Sequence, residues 1–188
     1  MLKALRSLFA STPENGFITY INNSSSPYCT PSMGGSCGDL LEFSFILDSS
    51  WEQLYKRTQN ETHKICGISD LFGNNSIRLG VRRRSKIYAD GLVAVSYLHI
   101  NGKTTYPLIS KTGKSQVLIL KYDTEYTCKI TKSSIIDNLW HLQIFLNQNV
   151  IGESATIIPI SSIFRRLSGI YIEPAIYSII TFLKIVRR

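Results

Sequence analysis

The sequence lacks the short motifs that mark several common classes of enzyme and metal site. It has no GxxxxGK[ST] loop, which excludes the phosphate-binding loop of nucleotide hydrolases, and no GxSxG turn, which excludes the usual serine nucleophile. Its four cysteines form no CxxC pair, so neither a zinc ribbon nor a thioredoxin-like site is predicted. Two of its three histidines, His99 and His141, fall in strand-like runs, where packing or surface roles are commoner than catalytic ones.

Long hydrophobic runs are also absent. No stretch of 18 consecutive apolar residues occurs, so no membrane-spanning helix is predicted. Near the N-terminus, Leu8-Phe9-Ala10 is much shorter than the apolar core of a secretion signal, so no export signal is predicted. The sequence therefore does not predict an oxidising compartment, which a bridge between Cys29 and Cys37 would need.

Acidic residues are scarce, because 13 Asp and Glu stand against 21 Lys and Arg and leave a net charge of +8. This balance favours anionic partners such as nucleic acids, membrane surfaces or acidic glycans. A retaining glycosidase needs two carboxyl groups about 5 Å apart, but Glu42 is followed at same-face positions by Ser44 and Ile46. The sequence predicts no enzymatic activity, no cofactor and no metal site.

What the sequence does contain is alternation of apolar and polar residues with a period of two, which is typical of strands with one buried face. The pattern occurs in LLEFSFILD (40–48), SIRLGVR (76–82), YTCKIT (126–131) and WHLQIFLN (140–147). Turn signals separate such runs, and Asn101-Gly102 is the strongest hairpin signal. Short strands at this spacing predict an all-β antiparallel sandwich or barrel. Other runs, such as GLVAVSYLHI (91–100), are apolar on both faces and predict central strands or strands covered by a neighbouring subunit.

The length favours a single domain with one core. Residues 1–38 are predicted to form an irregular arm and loop, and residues 39–188 the sandwich. Within the sandwich, SSWEQLYKRTQ (49–59) predicts a short helix that Ser49 or Ser50 caps. Cys66 and Cys128 lie in strand-like runs and are predicted to be free thiols that pack as small core residues.

The order KICGISD, a Gly-Asn loop, SIRLGVR, AVSYLHINGK, YTCKI, WHLQIFLN and SGIYIEPA resembles a group of jelly-roll sandwiches similar to the concanavalin A-like lectin/glucanase fold. Such proteins occur in Bacteroidota and in their tailed phages, including crAss-like phages. The resemblance covers about residues 62–186 and implies an antiparallel jelly-roll sandwich. The chain departs from the group in the loop at 72–76, which has no histidine pair, and at 169–174, which has no glycine pair.

Two sets of residues are predicted to contact a ligand. Tyr97, His99 and Tyr106 flank the Asn101-Gly102 hairpin as an aromatic platform for a sugar, and Asp70, Asn74 and Asn75 offer polar groups at one end of the sandwich. A further set, Arg82, Arg83, Arg84 and Lys86, is predicted to contact an anionic partner. The alternatives are sheet packing for the aromatic residues, a polar turn for the second set and a solvated strand end for the basic one.

The favoured hypothesis is a non-enzymatic structural or decoration protein of a tailed-phage virion, located in the virion and bound to other virion proteins or to its own copies. The alternative is a lectin-like carbohydrate-binding module, located in the bacterial cytoplasm or at the cell surface, that grips a surface glycan. A nucleic-acid-binding role for the basic residues ranks last, because only Tyr88 lies near them for base stacking.

Overall fold

The structure, a computed structural model, describes residues 18–22, 28–29, 33–36, 39–56, 62–70, 72–83, 91–160, 165–168, 171–172 and 179–186. Most of these residues form strands that pair antiparallel in two sheets. The first sheet has seven strands in the order β1 (Ile18–Asn22), β16 (Ile179–Val186), β4 (Leu40–Leu47), β11 (Glu125–Lys132), β12 (Leu139–Leu146), β13 (Asn149–Ile157) and β9 (Ser110–Lys111).

The second sheet has nine strands among the described residues. Its main path is β10 (Ile119–Lys121), β7 (Gly91–Ile100), β6 (Asn75–Arg82), β5 (His63–Asp70), β14 (Arg165–Ser168) and β3 (Met33–Ser36). Beside this path, β8 (Lys103–Thr105) pairs with β7, and β15 (Tyr171–Ile172) pairs with both β5 and β2 (Tyr28–Cys29). The predicted antiparallel jelly-roll sandwich is confirmed.

One hydrophobic core lies between the two sheets. Alternation along each strand sends one set of side chains inward, such as Phe43 and Phe45 from β4 and Ile77 and Leu79 from β6, all at most 1% exposed. Each such side chain contributes about 1.5–3 kcal/mol through burial. The free thiols of Cys66 and Cys128 belong to the same core, as predicted, and burial raises the pKa of the Cys128 thiol.

A 3₁₀ helix, Ser49–Lys56, contacts both sheets through its Trp51 side chain. Its Trp51 is fully buried and donates a hydrogen bond from Nε1 to Oγ1 of Thr181, 3.1 Å away in the seven-stranded sheet. The same indole meets the His63 ring of the nine-stranded sheet edge-on, with 5.2 Å between ring centroids. The predicted cap at Ser49 or Ser50 is wrong: the carboxylate of Asp48 accepts the Ser50 backbone N–H at 2.8 Å, so the helix starts one position earlier than its serines indicate.

The two hairpins that the sequence predicts most strongly are present. The strands KICGISD and SIRLGVR pair as β5 and β6. Asn101 and Gly102 join β7 to β8 with φ of 48° and 81°, the positive values that a tight two-residue turn needs. In β7, Leu92 and Val93 are both fully buried although they point to opposite faces, so this chain alone covers both faces of the strand there, without a neighbouring subunit.

Residues 1–38 differ from the irregular arm that the sequence predicts. In the described part of this segment, β1 pairs with β16, β2 with β15 and β3 with β14. The β3 sequence, Met-Gly-Gly-Ser, has no apolar alternation, so the sequence pattern does not predict this strand. Backbone hydrogen bonds to β14 hold it at the edge of the sheet without a buried face of its own. The boundary at residue 39 stays a prediction.

We expect the stability of the fold to fall as the pH is lowered from 7 to 5, because of His63. Burial, reinforced by the charge of Lys64, lowers the pKa of His63 from 6.5 to about 4. Between these values the unfolded chain binds a proton that the folded chain does not, which costs about 2 kcal/mol of unfolding free energy at pH 5 relative to pH 7. Urea unfolding of His63→Leu at both pH values should show a smaller loss than the wild type, whereas His141→Gln should keep the full loss. Equal losses in all three proteins would contradict the assignment.

Candidate functional site

A β-bulge in β5 decides which side chains face away from the core in the nine-stranded sheet. The register with β6 shifts between Lys64 and Cys66, so that Ile65 and Cys66 both point into the core. Lys64 and Gly67 therefore both point outward, opposite Gly80 and Arg78 of β6. Without the extra residue, strict alternation would place either Lys64 or Gly67 inside.

The outward positions of β5, β6 and β7 collect basic and aromatic side chains. We call this set, with the Tyr106 ring that packs on it, the cationic face; it consists of Lys64, Arg78, Arg82, Tyr97, His99 and Tyr106. None of the outward positions of these three strands carries an acidic residue. The face therefore carries three cationic side chains, those of Lys64, Arg78 and Arg82.

Tyr97 is the centre of the cationic face. The Lys64 ammonium lies 4.6 Å from the centroid of the Tyr97 ring, and the Arg78 guanidinium carbon lies 6.0 Å from it. The Tyr106 ring packs on Tyr97 with 5.5 Å between centroids and an angle of 60°, and it is 39% exposed. Two cations and two phenols thus share one patch of sheet surface.

His99 is two residues from Tyr97 on the same face of β7. Its Nδ1 forms a hydrogen bond of 2.8 Å with Oγ1 of Thr104 across the Asn101-Gly102 hairpin, which holds the imidazole in place. An imidazole held in one orientation can exchange a proton with a group placed beside it. The predicted group Tyr97, His99 and Tyr106 is therefore brought together, and sugar binding by it stays a prediction.

Two glycines in the middle of the cationic face leave room for neighbouring atoms that a Cβ atom would displace. A Cβ at Gly67 would collide with the backbone oxygen of Ile77 and would lie 2.6 Å from Cγ of Arg78, so the arginine stem crosses β5 only because position 67 has no side chain. A Cβ at Gly80 would lie 2.8 Å from the Val95 side chain and 2.9 Å from that of Thr62. Backbone and side-chain atoms therefore approach both positions closely, and both glycines are buried.

The second predicted ligand set joins two turns of the sandwich. The Oδ2 atom of Asp70 accepts hydrogen bonds from the backbone N–H and the side-chain amide of Asn75, at 3.0 and 2.9 Å. Oδ1 of Asn75 in turn accepts the backbone N–H of Asn101 at 3.2 Å. Asp70 and Asn75 are buried and Asn74 is exposed, so the first two position the hairpins beside the cationic face. Ligand binding by all three stays a prediction.

The basic run divides between different environments. Arg82 points outward on the cationic face, whereas Arg83 is buried and donates from Nη1 to the backbone oxygen of Glu52 at 3.1 Å. Arg84 and Lys86 lie outside the described residues. Sequence reasoning missed Lys64 and Arg78 as site residues. The alternation in SIRLGVR places Arg78 opposite the core, but no sequence signal places Lys64 beside it, because that depends on the bulge.

Comparison with known proteins finds similarity in structure only. No protein-family profile and no curated protein matches the chain. The alginate lyase Aly36B superposes with a TM-score of 0.55 at 10% identity, over 94% of this chain and 82% of that one. The chain shares the alginate lyase fold. A variant of Aly36B in complex with an alginate trisaccharide gives 0.54 at 12% identity, over 93% and 83% of the chains. The alginate lyase AlyC3 in complex with dimannuronate gives 0.53 at 7% identity, over 90% and 73%.

These comparisons contradict two predictions from the sequence. The predictions of a virion structural protein and of no enzymatic activity are both wrong on this finding, because the three solved structures named above are alginate lyases. The sequence lacks the paired carboxylates that indicate a glycosidase, and the outward positions of β5, β6 and β7 carry basic and phenolic groups instead. Among the residues that the structure describes, no helix has the length and apolar character to cross a membrane.

Replacing Gly67 with alanine should destabilise the fold, because the added methyl group collides with the backbone of β6 and with the stem of Arg78. We expect the free energy of unfolding to fall by roughly 1–3 kcal/mol. Ser69→Ala, two residues along the same face of β5, is the matched control and should unfold close to the wild-type urea concentration. Coincident unfolding curves for both variants and the wild type would show that the close approach at Gly67 does not exist.

Proposed function

We propose that this protein is a polysaccharide lyase that binds an acidic polysaccharide along the cationic face and cleaves it by β-elimination. The observation that carries the proposal is the position of Tyr97, a proton-transfer group whose ring has the charges of both Lys64 and Arg78 within 6.0 Å of its centroid. The fold shared with alginate lyases, one of them in complex with an alginate trisaccharide, supports the same substrate class.

The reaction begins with recognition of the uronate carboxylate. Arg78 presents a planar guanidinium that matches a carboxylate with two parallel hydrogen bonds, and Lys64 adds a compact charge beside it. Neutralising the carboxylate makes the neighbouring C5–H bond more acidic, because negative charge that develops at C5 spreads onto the same oxygens. The two cations therefore bind the substrate and stabilise the transition state.

Elimination then needs one group to remove a proton and one to supply a proton. The proton leaves C5, the C5–H electron pair forms the C4=C5 double bond, and the C4–O4 bond breaks with its electrons passing to the leaving oxygen. That oxygen takes up a proton. Tyr97 lies nearest to both cations and, as its phenolate, accepts the proton from C5. His99, on the same face of β7, donates a proton to the leaving oxygen from its imidazolium form.

The aromatic rim positions the chain of sugars. Tyr106 is half exposed and packs against Tyr97. A sugar ring presents an apolar face of C–H groups that packs well on a phenol ring. The sugar platform predicted around the Asn101-Gly102 hairpin is thus part of the proposed lyase site.

Tyr97→Phe is expected to lower kcat on alginate or glucuronan by about 100-fold or more, because the phenyl ring keeps the packing but cannot transfer a proton. The ultraviolet absorbance of the unsaturated uronate product follows the reaction directly. Lys64→Met should raise KM, and Lys64→Arg should recover part of the loss. Lys114→Met removes the same charge from an exposed turn and should leave both constants unchanged.

The assay separates the proposed lyase from a binding module on the same fold. Retention on immobilised alginate without any unsaturated product would favour the lectin-like alternative. The observation that favours this alternative is the packed pair of Tyr97 and the exposed Tyr106, which can hold a sugar without catalysis. Absence of both binding and product for every acidic polysaccharide tested would remove the proposed function.

A further inference from the structure

A second surface depression lies on the opposite side of the sandwich, on the outer face of the seven-stranded sheet. It has a volume of about 640 Å³, within the range of roughly 300–1,000 Å³ that small-molecule sites occupy. Its lining comes from β4, β11 and the end of β12 with the following turn. No part of the cationic face contributes to it.

The floor of this depression is held rigidly by contacts between neighbouring strands. The hydroxyls of Ser44 and Thr127 share a hydrogen bond of 3.1 Å. Lys129 forms an ion pair with Glu42 at 3.2 Å, and its ammonium lies 5.0 Å from the centroid of the Phe145 ring. The lysine charge is thus balanced within the protein, and the phenyl ring forms an apolar part of the lining.

The rim is built by the turn between β12 and β13. Asn147 and Gln148 have φ of 49° and 66°, so the turn is left-handed at both central residues. Glycine is preferred at the second position, and a glutamine there is strained. Gln148 lines the depression together with Asn147 and Glu125, so the turn supplies two carboxamide residues to it.

The chemistry of the lining selects the ligand class. Glu42 and Glu125 outnumber the one ammonium, so an acidic chain of the kind proposed for the cationic face is repelled. Carboxylate and carboxamide groups hydrogen-bond adjacent sugar hydroxyls as acceptors and donors, and a phenyl ring accommodates the C–H face of a pyranose. We propose that this depression binds one sugar unit of an uncharged oligosaccharide, independently of the cationic face.

Titration calorimetry of the full chain with cellohexaose, laminarihexaose and mannohexaose tests the proposal. At least one of these neutral sugars should bind. Glu125→Gln should weaken its binding by about tenfold, the loss expected for one charge-assisted hydrogen bond. Lys64→Met on the cationic face should leave this binding unchanged, which also separates the result from failure of the proposed lyase.

Gln148→Gly is the sharpest variant, because it replaces a strained residue with the one that the turn prefers. We expect it to raise the urea midpoint of unfolding while weakening sugar binding, a combination that a purely structural glutamine would not give. The proposal is overturned by no binding of any of the three neutral sugars. It is also overturned by binding that Lys64→Met abolishes, or by binding of a glucosamine hexasaccharide alone, which would mean a site for cations.

Discussion

The bulge at Ile65 and Cys66 is the constraint on which the site depends. A strand with strict alternation has one core face and one outer face, and any shift of one residue exchanges them. By placing two consecutive residues inward, the bulge fills the core and still leaves Lys64 and Gly67 outward on either side of it. Lys64 then meets Tyr97 across β6, and Gly67 gives Arg78 room to cross β5. The same bulge thus fills the core and arranges the side chains of the candidate site.

The two outer faces of the sandwich carry different chemical groups, although they share one core. The nine-stranded sheet presents cations and phenols, whereas the depression on the seven-stranded sheet holds its single lysine in an ion pair. Because inward and outward residues alternate, each outer face can change without altering the residues that pack the core. The antiparallel sandwich therefore separates stability from recognition, and one small chain can present two unlike surfaces.

Much of the fold follows from local patterns in the sequence, and the candidate site follows only partly. Period-two runs specify β4, β6, β11 and β12, and Asn101-Gly102 specifies its hairpin, because these signals depend on neighbouring residues. The proximity of Lys64, Arg78 and Tyr97 depends on the register between three strands and on a bulge, which no local pattern encodes. The capping role of Asp48 was missed because two serines follow it directly. The proposed lyase chemistry has no sequence signal, because cationic and phenolic groups form no short motif along the chain.

Both tryptophans of the sequence, Trp51 and Trp140, are completely buried in the sandwich. Neither the cationic face nor the depression on the seven-stranded sheet contains a tryptophan. Trp51 touches Thr181 from one sheet and His63 from the other, so its surroundings exist only while the layers are stacked. Tryptophan fluorescence should consequently report whether the two sheets are packed on each other. It should change little when a sugar binds at the cationic face or at the depression.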